Sequence, residues 1–321
     1  MLQIISFGVD FKMAKRRKLK RVKDKKFFNY KRRRGDRTDG WRVHANDPIF
    51  DVIPHIMPQR CDSQVFFEEE LDTTALDEFV RKTRRDASME MPELSRLTVV
   101  MAACVRAMAK YPKVNRFVAG RKIYARNYFS IALTIKQNMN IDAEEANLKL
   151  YFDPDYTLKQ VYDIIMKQVG DSKNKVDNAT DGFVDKLTSI PQWAIRLFLS
   201  IVNSIDSRRG LPRWLYDLSP FHTSMYITDI GSTGIGSVYH HIYNFGTTSV
   251  FISIGRRDKK IVLDENGEPK NINIIKFCYV VDERICDGFY YAKAVRYINS
   301  LLKHPEKLLS PPETIIEDPL Y

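Results

Sequence analysis

Three carboxylates, a guanidinium and a thiol fall within the octapeptide Asp282-Glu283-Arg284-Ile285-Cys286-Asp287-Gly288-Phe289. A carboxylate such as Glu283 can act as a general base where its environment permits. An unperturbed carboxyl lies about 2 pKa units below imidazole, roughly 3 kcal/mol of proton affinity, so proton abstraction by Glu283 calls for a shifted environment. Burial can bring such a carboxyl to about 6–7. Ile285, Phe289, Tyr290 and Tyr291 could supply it, while Arg284 and Asp282 push in opposite directions. A base from elsewhere is the alternative: His240 and His241 lie between two expected strands, with His222 further upstream. A pair of histidines beside Tyr239 and Tyr243 is also compatible with simple packing or an interface. The cysteines at 61, 104, 278 and 286 form no CxxC pair and have no histidine at zinc-ligand spacing, so no metal site is expected and reduced thiols are the default.

The elements that must position these groups follow from periodicity. Gln64 to Leu71 reads as a strand, and Asp72-Thr73-Thr74 caps a helix through Leu76, Phe79 and Val80. Leu94 to Lys110 is apolar almost all round and is expected to be a buried helix stopped at Tyr111-Pro112. Strands follow at Phe129–Ile135 and Leu148–Phe152, then a helix over Leu158–Val169 and a polar loop between Gly170 and Phe183. Ile190–Val202 is a strongly apolar helix with Pro191 near its first turn, and with Trp214-Leu215-Tyr216 it forms a hydrophobic insertion at about 186–216. Such a helix suits the core, a subunit interface or, alternatively, peripheral contact with a membrane surface. The last third is strand-rich: Ser224–Ile230, Ser249–Ile254 and Ile272–Val281, with a hairpin turn at Asp264-Glu265-Asn266-Gly267 and a closing helix Gly288–Lys303. Strands alternating with long helices predict an α/β or α+β layered domain.

The charge of +11 is confined to one place. Residues 1–40 hold 15 Lys or Arg against 4 Asp or Glu, and the remaining chain holds 36 of each sign. Like charges crowded through Lys15–Lys23 predict a solvated arm over 1–40, ahead of a single domain over 41–321. The segment through Pro48, Pro54 and Pro58 is expected to be ordered without long elements. The arm suits an acidic partner. A neutral body with few aromatics among the arm's charges argues against nucleic-acid recognition. Met13 reads as an alternative start to Met1. No window reaches 18 apolar residues, and a cytoplasmic protein is expected.

The octapeptide resembles the HxxxDG signature of CoA-dependent acyltransferases, with Glu283 where the histidine stands. It is similar to the DHRxxDG of the 2-oxo acid dehydrogenase acyltransferase catalytic domain and to the corresponding stretch of chloramphenicol acetyltransferase. Thr228-Asp229-Ile230-Gly231, 55 residues earlier, resembles the family's Ser-Asn-Leu-Gly turn. Ser253-Ile254-Gly255-Arg256, Tyr111-Pro112-Lys113-Val114-Asn115 and His304-Pro305-Glu306-Lys307-Leu308-Leu309 match further family segments in order, so the resemblance spans roughly residues 50–310. It implies a chloramphenicol-acetyltransferase-like layered sandwich of mixed β-sheet and packed helices. It further implies a homotrimer whose sites lie between subunits, and CoA or acyl-CoA as substrate with no tightly bound cofactor; an acyl carrier protein is the alternative donor.

By the same resemblance Thr228 supplies an oxyanion-stabilising hydroxyl, Asp287 makes a structural ion pair, Gly288 permits close backbone approach and Cys286 packs. Three departures stand against this. Lipoyl-domain and subunit-binding motifs are absent, Asn140–Asn147 replaces an apolar family segment, and the insertion at 190–216 has no clear family counterpart. Two readings of Glu283 therefore stay open: the base of an active acyltransferase, or an ion-paired residue, with Arg284 or another arginine, in a catalytically inactive scaffold of the same fold.

Overall fold

The computed structural model describes residues 22–23, 28–29, 33–43, 48–136, 145–174 and 190–318. The basic run Lys15–Arg21, most of Asn140–Asn147 and residues 186–189 lie outside them. Strands β1 (Val22–Lys23) and β2 (Phe28–Asn29) pair antiparallel. The remainder is one layered α/β body. A mixed six-stranded sheet runs β4-β11-β10-β9-β7-β8, built from β4 (Gln64–Asp72), β7 (Phe129–Lys136), β8 (Glu145–Phe152), β9 (Met225–Asp229), β10 (Val250–Leu263) and β11 (Pro269–Asp282). β9 is parallel to both β7 and β10; the other pairs are antiparallel.

One face of this sheet carries Met225, Ile227, Ile252, Ile254, Phe277 and Tyr279 and is covered by helices. These are α2 (Thr74–Arg85), α3 (Arg96–Lys110), α4 (Leu158–Asn174) and α7 (Gly288–Lys303), the last closing the chain after α5 (Gln192–Arg209) and α6 (Arg213–Leu218). α3 is buried on every side, as its composition requires, and Ser95 caps it by accepting from the Thr98 N–H at 3.1 Å. Because side chains alternate along a strand, Tyr226, Phe251 and Val280 point to the opposite face. There the connection between β9 and β10 folds over them.

Several expectations are corrected. The Pro-rich stretch contains a helix, α1 (Ile49–Ile56), with Pro54 inside it. α4 continues to Asn174, into the segment expected to be loop. α5 runs seven residues past Val202, because its last turn carries Asp206, anchored by Arg37. A second sheet orders β3 (Gly40–Arg42), β6 (Lys122–Arg126) and β5 (Arg116–Ala119).

The arm also ends earlier than residue 40. Arg37 is 1% exposed, binds Asp39 (Nε to Oδ1, 2.8 Å) and Asp206 (Nη2 to Oδ1, 2.7 Å), and stacks over Phe117 and Tyr124. The Thr38 N–H donates to the Arg209 carbonyl at 3.2 Å, which fixes the end of the arm to the end of α5.

Candidate active site

β11 delivers the octapeptide. Its last residue, Asp282, is fully buried and faces a buried arginine: Arg284 Nε and Nη2 reach the two carboxylate oxygens of Asp282 at 2.8 and 2.7 Å. The same guanidinium donates through Nη1 to the carbonyls of Met57 (3.0 Å) and Pro58 (3.2 Å). Ser63 Oγ adds a donor to Asp282 at 3.1 Å, and Arg60 Nε lies 3.6 Å away. Burial pulls the Arg60 guanidinium down to about 10, against the pull of Asp282. Asp282 and Arg284 thus satisfy each other in a bidentate pair that ties the end of α1 to the turn.

The ion pair expected at Asp287 is therefore made by Asp282. Asp287 caps α7 instead, its carboxylate accepting from the Tyr290 N–H at 2.8 Å. The pairing considered between Glu283 and Arg284 is likewise replaced by Arg284 with Asp282.

Glu283 sits between these two acids with its backbone N–H on the Ser63 carbonyl at 2.9 Å and its side chain exposed. It borders a cavity of about 500 Å³ walled by Phe50, Ile53, Met57, Phe67, Tyr291 and Val295, with Gly288 and Asp287 at its edge. An apolar chamber with a few carboxylates and Arg296 at its margin has the make-up of a small-molecule site. The α1 wall was not anticipated, because its prolines mask the apolar periodicity of Ile49, Phe50, Ile53 and Ile56. Cys286 also borders the chamber but is 3% exposed, and burial pushes its thiol well up, so it stays protonated and packs.

Thr228 is elsewhere. In the sheet register it pairs with Ser253, which pairs with Cys278, five residues before Glu283. Five residues of strand are about 17 Å, and the two intervening strand spacings add about 10 Å sideways, so Thr228 and Glu283 stand about 20 Å apart in one chain. They occupy opposite ends of the sheet and share no chamber. Gly231 follows Thr228 in a turn where the backbone passes against Gly255, with no room for a Cβ. Beside them Asp229 borders a cleft of about 810 Å³ containing Arg81, Arg84, Arg85, Arg96 and Arg257. Asp77 binds Arg96 (2.5 Å) and Arg257 (3.3 Å), and Glu78 binds Lys82, so the cleft retains an excess of arginine.

His240 shares the Thr228 face of the sheet, stacked on Phe251 at 4.2 Å between ring centroids, while His241 is exposed. Neither touches Glu283. His222 is fully buried, with Nε2 3.3 Å from Asp206 and Nδ1 2.7 Å from Ser219 Oγ. It belongs to the network of Arg37, Asp39, Asp206 and Tyr216. Among the described residues no cluster of histidine, cysteine or acid is arranged to hold a metal, and no helix is long and apolar enough to cross a membrane.

No protein-family model and no curated protein matches the chain. Solved structures do. A probable dihydrolipoamide acetyltransferase from Listeria monocytogenes 4b F2365 superposes with a TM-score of 0.52 at 15% identity, covering 82% of this chain and 94% of that one. The cubic core of the pyruvate dehydrogenase multienzyme complex gives 0.52 at 13% identity, covering 84% and 95%. The Azotobacter vinelandii dihydrolipoamide acetyltransferase gives 0.51 at 15% identity, covering 83% and 94%. The chain therefore has the fold of acyltransferase catalytic cores.

Proposed function

We propose that this protein is an acyltransferase of the 2-oxo acid dehydrogenase acyltransferase type, moving an acyl group from a CoA or pantetheine thioester to a hydroxyl or thiol acceptor. The observation that carries the reading is the Asp282–Arg284 pair, which holds Glu283 at the mouth of an apolar chamber of about 500 Å³. The Azotobacter vinelandii structure was studied for the roles of a serine, a histidine and, four positions after the histidine, an asparagine in that enzyme's mechanism; Glu283 and Asp287 have the same spacing.

A shared role for Thr228 and Glu283 at one carbonyl calls for a site built from two subunits, which fits the trimer that the resemblance implies. In it Glu283 takes the proton from the acceptor as its oxygen or sulfur attacks the thioester carbonyl. Thr228 of the partner subunit donates to the resulting oxyanion. Collapse of this intermediate breaks the carbon–sulfur bond, and the departing thiolate takes the proton from Glu283. The arginine-rich cleft beside Asp229 suits the phosphates of CoA.

The second reading, a non-catalytic binding subunit, is favoured by the exposure of Glu283 in the single chain: exclusion of water around it must come from a neighbour. Titration calorimetry with CoA and acetyl-CoA, followed by an acceptor screen, separates the two. Under the catalytic reading Glu283→Gln keeps the oligomer and ligand binding but abolishes turnover. Binding without turnover in the unaltered protein supports the binding subunit. Absence of binding to either ligand counts against both CoA readings and leaves a carrier-protein donor to be screened.

A further inference from the structure

α5 is apolar on two sides. Val202, with Phe198 and Leu215 half-buried beside it, faces the body. Trp193, Leu197, Ile201 and Ile205 recur every four residues and face away from it, being 69%, 56%, 51% and 48% exposed. Trp214, at the start of α6, is 59% exposed and extends the apolar surface. A helix apolar on its outer face needs a cover.

The charges around this stripe bear on what covers it. Arg196, Arg208, Arg209 and Arg213 flank the stripe, and between residues 190 and 214 the sole acid is Asp206, buried under Arg37. The N-terminal arm is anchored at the same place. Arg37 and Thr38 are fixed to the last turn of α5, and the preceding residues 1–32 carry 12 Lys or Arg against 2 Asp or Glu. Apolar side chains able to enter the acyl region and the arginines at 196, 208, 209 and 213 beside them combine the two signals of a membrane anchor, in which neither component alone gives stable attachment.

We propose that the outer face of α5, with Trp214 and the arginines flanking the stripe, docks on the surface of an anionic lipid bilayer, the helix lying in the plane of the interface. The apolar residues sink among the acyl chains while Arg196 and Arg208 stay at headgroup level. This inference is independent of the acyl-transfer reading.

The test is flotation of the full chain with vesicles of phosphatidylcholine alone or with phosphatidylglycerol added, at low and high salt. Capture by the anionic vesicles, weakened by salt, is expected. Leu197→Glu/Ile201→Glu alters only exposed positions and should reduce capture about tenfold or more by removing two apolar insertions. Tryptophan emission gives a second reading in the unaltered protein. Trp193 and Trp214 are exposed and Trp41 is buried, so insertion should shift the emission to the blue. No capture by anionic vesicles, or capture unchanged in the double variant, overturns the proposal. A change of oligomeric mass in the double variant, without capture of the unaltered protein by vesicles, assigns the stripe to contact between copies and overturns it equally.

Discussion

Arg284→Lys retains a positive charge but removes the planar fork. The guanidinium makes four side-chain hydrogen bonds, two to Asp282 and one each to the carbonyls of Met57 and Pro58. An ammonium group cannot reach both carboxylate oxygens and both carbonyls with the same geometry, so about two of the four are lost in a water-free site. Hydrogen bonds to charged groups are worth about 1.5–3 kcal/mol each, and Ser63 and Arg60 keep Asp282 partly satisfied, so the expected loss is about 2–4 kcal/mol. With an unfolding entropy of about 2.1 cal/mol/K per residue over the folded body, this lowers Tm by about 3–7 °C.

Scanning calorimetry of Arg284→Lys beside Glu283→Gln supplies the contrast. Glu283 is exposed, and its substitution should move stability by less than about 0.5 kcal/mol. Hydrogen exchange should also accelerate in α1, whose end the clamp holds. A Tm for Arg284→Lys within 1 °C of the unaltered protein, with α1 equally protected, would refute the clamp as the support of the chamber.

Removing Arg37 strands two buried carboxylates, so Arg37→Met should cost about 3–5 kcal/mol in denaturant unfolding. Burial lowers the pKa of His222, partly opposed by Asp206. The unfolded chain therefore takes up a proton near pH 6.5 that the folded chain refuses, and stability drops by up to about 1.4 kcal/mol per unit as pH falls from there toward the folded value. Comparing denaturation at pH 7 and 5.5 should show a smaller acid loss in His222→Gln than in the unaltered protein; equal losses would exclude His222 as the source. Arg81→Ala/Arg85→Ala should weaken CoA binding about tenfold while sparing a phosphate-free pantetheine thioester, read by calorimetry. A bulky maleimide should label Cys61 alone in the native protein and all four thiols after unfolding, since Cys104, Cys278 and Cys286 are buried.

What could be read from the sequence follows how local each signal is. The all-round apolarity of α3, the aromatic and β-branched residues of β4 and β9, and the turn at Asp264–Gly267 are local, and the fold carries them where expected. The hairpin of β5 and β6 was missed because its turn is Gly120-Arg121, both at positive φ, a conformation that an arginine does not advertise. The end of the arm was misplaced because Arg37 looks like one more charge in a basic run, and its partners Asp206 and Tyr216 are some 170 residues away. The ion pair assigned to Asp287 belongs to Asp282 for a related reason. The two acids flank the turn, and only the buried exit of β11 decides which of them faces the guanidinium.

The sheet register constrains function more tightly than the signature does. Whatever Glu283 contributes, a chain in which it stands about 20 Å from Thr228 cannot bring the two to one reacting carbonyl by side-chain motion, since β10 lies between them in a continuous ladder. A catalytic role for both therefore depends on a second subunit, and activity should vanish on dissociation without loss of fold. Gly231 provides a way to perturb the Thr228 end alone. A side chain there collides with the Gly255 backbone, so Gly231→Ala should cost about 1–3 kcal/mol and displace the Thr228 turn while leaving the Glu283 chamber intact. If site and assembly are linked, mixing Gly231→Ala with Glu283→Gln subunits should restore activity at those interfaces where an intact Thr228 end meets an intact Glu283 end. Absence of any recovery in mixed oligomers whose parents are both inactive would exclude the two-subunit site.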